Sequence, residues 1–186
     1  MSQGSRVRVY LACSLDGYIA GPDDDLAWLS DPSHADDALA PEAHALGFAA
    51  FMQQVGAIVM GRTTYDVVAQ MGHWVYGDTP VIVASSRTLA PVVPTVTRGE
   101  GDLAGLIARA KSLAEERDVY LDGGTLVRQA LDAGLVDELT ITWVPTLLTA
   151  GTRLFDGLRT PRALRFVSHA SLGGGMVQVT AVVRGD

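Results

Sequence analysis

The chain has 186 residues, of which 48% are hydrophobic, and a formal net charge of −7 at pH 7. These values predict one globular domain over residues 1–186 with a sizeable core, and the acidic balance argues against general nucleic-acid binding. No apolar run reaches the roughly 18 residues of a membrane span, and the first residues lack an apolar signal core, so we expect a cytoplasmic protein. The single cysteine, Cys13, excludes an intramolecular disulfide and a CxxC zinc site. We expect no metal.

Strand-like and helix-like segments alternate along the first half of the chain, as in α/β proteins. A polar loop rich in glycine, proline and aspartate runs from Asp16 to about Pro41, and so long an irregular stretch is typical of a functional loop. The other predicted elements are strands over 7–13, 57–60, 79–84 and 92–97 and helices over 42–55 and 63–70.

The second half changes from parallel to antiparallel patterns. Asp102 is a plausible N-cap for a helix that runs to about residue 116, followed by a strand over 119–121 and a helix over 126–133. ELTITWV (138–144) alternates polar and apolar residues, as an antiparallel or half-exposed strand does. Strands over 164–170 and 176–183 are joined by three glycines, which are typical of a hairpin turn. We therefore expect a three-layer α/β fold, with a mostly parallel central sheet, an antiparallel C-terminal hairpin and helices on both faces.

Three of the predicted parallel strands end at small or polar clusters. In open α/β sheets, ligands bind beyond the carboxyl ends of the strands, where helix N-termini favour phosphate. The clusters are Gly61-Arg62-Thr63-Thr64, Ser85-Ser86-Arg87 and Gly123-Gly124-Thr125. Together they predict a site for a ligand with more than one phosphate group.

Each cluster also has an ordinary structural explanation. Gly123-Gly124 can be a tight turn, Ser85-Ser86 a cap or turn, and Arg62 can pair with Asp66. No GxGxxG follows the first strand and no GxxxxGK[ST] occurs, so neither the Rossmann nor the P-loop mode of phosphate binding applies.

Three segments resemble the cofactor-binding segments of the dihydrofolate reductase superfamily. They are VMGRTTYDVV (59–68), PVIVASSRTL (80–89) and VYLDGGTLVRQAL (119–131). The opening YLACSLDGYIAGPDDDLAWL (10–29) and the late segment VDELTITWVPTLLTAGTRLFDG (136–157) are more similar to the branch that contains the reductase domain of riboflavin synthesis, the RibD C-terminal domain. The resemblance extends from about residue 6 to residue 183 and is poorest over 30–47. It implies a dihydrofolate reductase-like fold and NADPH as the cofactor.

The resemblance also implies which residues bind NADPH. The nicotinamide amide would meet the end of the first strand, the pyrophosphate would meet the two helix starts, and the adenosine 2′-phosphate would meet the arginine and serine positions. The implied cofactor residues are Ala12, Ile19, Gly61, Arg62, Thr63, Thr64, Ser85, Ser86, Arg87, Gly123, Gly124, Thr125 and Leu126.

The substrate side is less well defined. The resemblance places Ser14 and Asp16 in the loop between cofactor and substrate, and Asp16 is the one candidate for a catalytic group. Asp16 followed by glycine is equally a turn signal, and Trp28 can either close over the substrate or pack the loop. His73 and Trp74 can be interpreted as an acid and a stacking platform or as surface residues.

The resemblance implies an NADPH-dependent oxidoreductase that transfers hydride to a pterin-like or ribosyl-aminopyrimidine substrate. Among such enzymes, the resemblance implies one like the 5-amino-6-(5-phosphoribosylamino)uracil reductase of riboflavin biosynthesis. Dihydrofolate reductase activity is an alternative, although the carboxylates between Asp31 and Glu42 do not align with the one that contacts the pterin. An NADPH-binding sensor without turnover is the alternative from another class. The branch also implies a homodimer, formed through the C-terminal part of the sheet.

Overall fold

The computed structural model describes residues 4–31 and 40–185. The strands are β1 (Val7–Ser14), β2 (Tyr18–Ala20), β3 (Val55–Gly61), β4 (Val81–Ala84), β5 (Val96–Gly99), β6 (Asp118–Asp122), β7 (Glu138–Val144), β8 (Thr152–Arg153), β9 (Leu164–Gly173) and β10 (Met176–Val183). The α-helices are α1 (Phe48–Met52), α2 (Arg62–Ala69), α3 (Leu103–Ala114) and α4 (Gly124–Asp132). Two short 3-10 helices, Pro22–Asp24 and Ala27–Ser30, lie within the predicted irregular loop, whose residues 32–39 lie outside the described residues.

An 8-stranded sheet in the order β5-β4-β3-β6-β1-β7-β10-β9 forms the middle layer. Every pairing from β5 through β7 is parallel, whereas β10 is antiparallel to both β7 and β9. This confirms the mostly parallel sheet with an antiparallel C-terminal hairpin. A second, 2-stranded sheet pairs β2 with β8.

Helices cover both faces of the sheet because the central strands are apolar on both faces. In β3, Ala57 and Val59 belong to one core cluster, with α3 and α4, while Ile58 and Met60 belong to the other, with α1 and α2. The three-layer arrangement follows directly from this alternation.

The predicted helix over 42–55 is wrong for its first half, because the helix there is only Phe48–Met52. Glu42 instead bonds to the edge strand β9: its N–H donates to the Ser171 carbonyl (2.9 Å), and its carboxylate accepts from the Ser171 N–H (2.7 Å). Gly47, with extended backbone, is the N-cap of α1. A long-range contact thus replaces the local helical pattern.

Two other predictions need correction. The strand predicted over 92–97 is Val96–Gly99, because Pro91 and Pro94 lack the N–H that a sheet ladder needs. β7 is neither half-exposed nor purely antiparallel: it is parallel to β1 on one side, and nearly all its side chains are buried. Its threonines are buried with polar partners, since the Thr140 and Thr180 hydroxyls lie 3.1 Å apart and the Gln178 amide donates to the Thr142 hydroxyl.

Within the described residues, no helix has the length and apolar character that crossing a membrane requires.

A network of charged side chains joins the amino ends of β1, β6 and β7. The buried Arg8 guanidinium contacts Glu138 (Nε–Oε1, 2.6 Å) and Asp118 (Nη1–Oδ2, 3.2 Å), and Arg6 contacts the same two carboxylates at 3.1 and 2.7 Å. Arg8 also lies over the ring of Phe51, 5.0 Å from its centroid. Burial works to raise the pKa of Asp118, but the hydrogen bonds and charges of Arg6 and Arg8 outweigh it and lower that pKa.

We expect Arg8→Met to lower the free energy of unfolding by about 3 kcal/mol, because it leaves buried carboxylates with one partner fewer. Urea denaturation at neutral pH measures this. The control is Arg159→Met, which removes an exposed arginine paired with Asp132 and should change stability by less than about 1 kcal/mol. An equal loss in both variants would contradict a special role for Arg8.

In the wild type, the stability contributed by Asp118 is present above its unfolded-state pKa and is lost as the pH falls through its lowered folded-state pKa.

Candidate active site

A cavity of about 630 Å³ opens at the edge of the sheet where the parallel strands end. This volume is in the range of small-molecule and cofactor sites. Its wall includes ten of the predicted cofactor residues: Ala12, Ile19, Gly61, Arg62, Thr63, Thr64, Gly123, Gly124, Thr125 and Leu126. The structure therefore brings two of the three strand-end clusters into one cavity.

Two helices begin at this cavity without a side-chain cap. Gly61 and Gly123 are the N-caps of α2 and α4, and neither glycine has a side chain that could accept from the N–H groups of the first helical turn. By contrast, α3 is capped by the Asp102 side chain, which accepts from the Gly105 N–H at 2.7 Å. Uncapped N–H groups and the positive end of the helix dipole are what an anionic group requires.

The two helix starts touch each other through Gly123. Its φ is +96°, a conformation that residues with a side chain rarely adopt. A Cβ at this position would lie 2.6 Å from the Thr64 hydroxyl and 3.6 Å from the Gly61 nitrogen. Glycine is needed here for both the backbone angle and the space.

The third cluster is joined to the cavity through Arg62. Its Nη1 donates to the Thr88 carbonyl (2.9 Å), and its Nε donates to Asp66 (2.7 Å), the pairing that the sequence offered as the ordinary explanation. Ser85 itself closes a tight turn, because its hydroxyl accepts from the Arg87 N–H and donates to the Arg87 carbonyl. Ser85, Ser86 and Arg87 thus lie beside the cavity rather than in its wall, which Ala84 reaches.

The three predicted substrate residues do not line the cavity wall. The Ser14 hydroxyl donates to Asp16 (2.6 Å), and Asp16 accepts from the backbone N–H groups of Leu148 and Thr149. The hydrogen bond from Ser14 is the main cause that lowers the pKa of Asp16. Trp28 is buried. Ser14 and Asp16 thus hold the loop together, and the contact of all three residues with substrate stays a prediction.

The cavity contains a carboxyl group that the sequence reasoning missed. Asp122, the last residue of β6, is only 7% exposed and lines the cavity. Its Oδ2 accepts from the Tyr76 hydroxyl (3.2 Å) and its Oδ1 from the Gly123 N–H (2.8 Å). Burial raises the pKa of Asp122, which favours the neutral acid. A carboxyl group with a raised pKa in a cleft is a candidate proton donor.

Aromatic side chains surround this acid. Tyr10 and Phe48 line the cavity with ring centroids 5.9 Å apart, and Phe48 lies 6.4 Å from Tyr76. The Tyr120 hydroxyl donates to the Tyr10 carbonyl (2.9 Å). In the segment MGHWVYG (71–77), Tyr76 reaches the site through its hydrogen bond to Asp122, whereas His73 is exposed. This aromatic wall suits a flat ring.

The described residues give less support to a metal site or to a reactive thiol. No three His, Cys, Asp or Glu side chains gather there as a metal site would require. Cys13 is buried, and burial raises the pKa of its thiol to about 11, which keeps the thiol unreactive at neutral pH.

A family model described as the RibD C-terminal domain matches residues 5–178. Among curated proteins, the uncharacterised YwjB of Bacillus subtilis is 28% identical over 173 residues, which is 89% of this chain and 91% of YwjB. The uncharacterised YyaP of the same organism is 26% identical over 191 residues, covering 94% of this chain and 93% of YyaP.

Solved structures agree with this match. A Shewanella protein named for riboflavin biosynthesis superposes with a TM-score of 0.80 at 31% identity, over 97% of this chain and 99% of that one. The Thermotoga maritima diaminohydroxyphosphoribosylaminopyrimidine deaminase/5-amino-6-(5-phosphoribosylamino)uracil reductase superposes with a TM-score of 0.66 at 16% identity. That match covers 98% of this chain and 57% of the Thermotoga chain, and it shows the fold.

We expect Gly123→Ala to destabilise the protein by about 2 kcal/mol, through backbone strain and the contact with Thr64. Thermal unfolding measures the loss. The control is Gly124→Ala, whose added Cβ meets the end of the flexible Ile19 side chain at 2.6 Å and whose backbone angle is ordinary. It should cost about 1 kcal/mol or less, since alanine also favours the helix. A larger loss at Gly124 than at Gly123 would refute the argument.

Proposed function

The chain belongs to the RibD C-terminal domain family, and from this membership we propose that it is an NADPH-dependent reductase that transfers hydride to a pterin-like or ribosyl-aminopyrimidine substrate. The observation that carries the proposal is the pair of uncapped helix starts that meet at Gly123 in one cavity with Arg62. A dinucleotide with a pyrophosphate and a further phosphate fits this arrangement.

The proposed cofactor residues contact different parts of NADPH, according to their chemical type. Backbone N–H groups of Thr63, Thr64 and Thr125 receive the pyrophosphate, because they are the uncapped groups at the helix starts. Arg62 supplies the positive charge for the 2′-phosphate, and Arg87 and the neighbouring serines lie within the adjacent turn. Ala12 and Ile19 line the cavity at the end of β1 and on β2, where they would hold the nicotinamide.

When bound, NADPH supplies the hydride. The chain positions the acceptor ring against Tyr10 and Phe48 in the cavity wall, where they also exclude water. In a ribosyl-aminopyrimidine, opening of the sugar ring moves a proton from the exocyclic nitrogen to the ring oxygen and leaves a C=N bond at the sugar carbon. That carbon would take the hydride, and Asp122 would give its proton to the nitrogen of the C=N bond. The Asp122 carboxylate that remains is stabilised by the Gly123 N–H and the Tyr76 hydroxyl until solvent returns the proton.

The reductase activity in the name of the Thermotoga protein, which acts on 5-amino-6-(5-phosphoribosylamino)uracil, is the reference reaction for this proposal. Dihydrofolate reduction also reduces a C=N bond, but that bond lies within the pterin ring, whereas in the ribosylamino substrate it joins the exocyclic nitrogen to the opened sugar. The shared chemistry is reduction of an imine.

The homodimer expected from the resemblance remains a prediction, and β9 supports it. This edge strand has ten residues and exposes apolar side chains, with Phe166 74%, Val167 44% and Leu164 40% exposed. Long apolar edge strands are usually covered, and a second copy of this chain would cover β9.

The cytoplasmic location also remains a prediction.

We expect Arg62→Ala to raise the Kd for NADPH about 10- to 100-fold, because a charged hydrogen bond to phosphate is lost, and to leave the Kd for NADH nearly unchanged. Fluorescence titration with both coenzymes measures this. Arg109→Ala, which removes an exposed arginine bonded to Thr97, is the control. Equal losses for NADPH and NADH would show that Arg62 does not contact the 2′-phosphate.

We expect kcat to fall as the pH rises through the raised pKa of Asp122, because the proton donor is then ionised. Asp122→Asn should lower kcat at least about 100-fold. The Tyr76 hydrogen bond lowers the pKa of Asp122, so Tyr76→Phe should move the alkaline fall in kcat to higher pH. Tyr65→Phe is the control, because its hydroxyl bonds Ala90 and Val92 instead. A shift of the same size in Tyr65→Phe would contradict the role of Asp122.

A further inference from the structure

The positive charges of the chain are distributed unevenly about the cavity. All 14 lysine and arginine residues lie within the described ranges 4–31 and 40–185, and among them Arg62 is the one that lines the cavity. Arg62 lies at the start of α2, on the side that the proposed function gives to the cofactor. The cofactor phosphates would use this charge and both uncapped helix starts.

The two arginines beside β8 are engaged elsewhere. Arg128 donates through Nη1 to the carbonyls of Arg153 and Leu154 at 2.9 and 3.3 Å. Arg153 lies over the ring of Tyr18, 4.5 Å from its centroid, and donates to the Asp16 carbonyl. Arg128, whose Nη2 also donates to the Thr125 hydroxyl at 3.3 Å, thus fastens β8 to α4. Arg153 fastens β8 to β2 and to the turn before it.

The rest of the cavity wall includes a group of apolar, aromatic and acidic side chains. Tyr10, Leu26, Leu29 and Phe48 provide its apolar and aromatic surface, and Asp24 and Asp122 provide its carboxyl groups; we call these residues the acceptor side. Asp24 is exposed on the loop, whereas Asp122 is buried. A phosphate there would meet carboxyl groups and no arginine or lysine, although phosphate sites in proteins require cations or free N–H groups.

We propose that the acceptor reduced in this cavity carries no phosphate: it is a neutral or cationic planar heterocycle at the level of a base or nucleoside, with its amino-bearing edge towards Asp24 and Asp122. The inference rests on the proposed reductase function. It specifies the substrate class, and it distinguishes the acceptor of this chain from the phosphorylated substrate in the name of the Thermotoga protein.

The test uses two acceptors that differ only in the phosphate: 5-amino-6-(5-phosphoribosylamino)uracil and its dephosphorylated riboside. The loss of NADPH absorbance gives kcat/KM for each compound with the full chain. Calorimetry in the presence of NADP⁺, which prevents turnover, gives the two Kd values independently. We expect the riboside to have at least a tenfold higher kcat/KM and at least a tenfold lower Kd.

A charge variant tests the cause of the preference. Asp24→Asn should shift the ratio of the two kcat/KM values about fivefold towards the phosphorylated compound, as expected for one partly screened charge. Asp23→Asn is the matched control: Asp23 is also exposed and also has a positive φ, 55° against 59°, but it does not line the cavity. The ratio should be unchanged in this control, and equal shifts in both variants would overturn the role of Asp24.

The outcomes separate this inference from the proposed function. Faster turnover and tighter binding of the phosphorylated compound would overturn the inference and leave the reductase proposal standing. Tighter binding of the riboside without oxidation of NADPH would support the ligand class and overturn the reductase proposal. If neither compound binds or reacts, both are overturned.

Discussion

The position of β1 between β6 and β7 depends on the enclosed Arg8 guanidinium. Arg8 is paired with Tyr120 of β6 and Glu138 of β7 in the sheet register, and its side chain bonds carboxylates on both neighbouring strands. A slip of one residue would turn Tyr10 to the opposite face of the sheet and remove it from the cavity. The ionic network at the amino end therefore fixes which side chains reach the site at the carboxyl end.

The carboxyl groups at the two ends of β6 have pKa values that are shifted in opposite directions. Asp118 begins the strand among arginines, which keep it ionised, whereas Asp122 ends it beside a hydroxyl and a backbone N–H, which are neutral donors. Without an adjacent cation, the cost of desolvating a carboxylate favours the protonated form. One strand thus contributes a structural ion at its start and the proposed proton donor at its end.

Much of the fold could be predicted because the parallel strands are short apolar runs that end at glycine or polar clusters. The strand ends also indicated Arg62, Thr64 and Gly123 correctly as neighbours. The sequence could not reveal that Glu42 would bond Ser171, because those residues are far apart in the chain and the helical pattern is local. Asp122 was missed although it carries a signal, a charged residue at the end of the apolar run VYL and directly before Gly-Gly. Its contact with Tyr76 depends on the tertiary fold.

The two sides of the cavity are built from different kinds of atoms, and this difference bears on how substrates change within one fold. The cofactor side consists largely of backbone N–H groups and of glycines that allow close approach, so most of its side chains can vary without loss of the donors. The acceptor side consists of side chains, three of which, Asp24, Leu26 and Leu29, lie on the loop with 3-10 helices that follows β2. A few substitutions on that loop would alter charge and shape around the acceptor while the sheet and helix starts stay in place. Fold and cofactor site thus leave the substrate open, and the proposed preference for an acceptor without a phosphate depends on the acid side chains of the acceptor side.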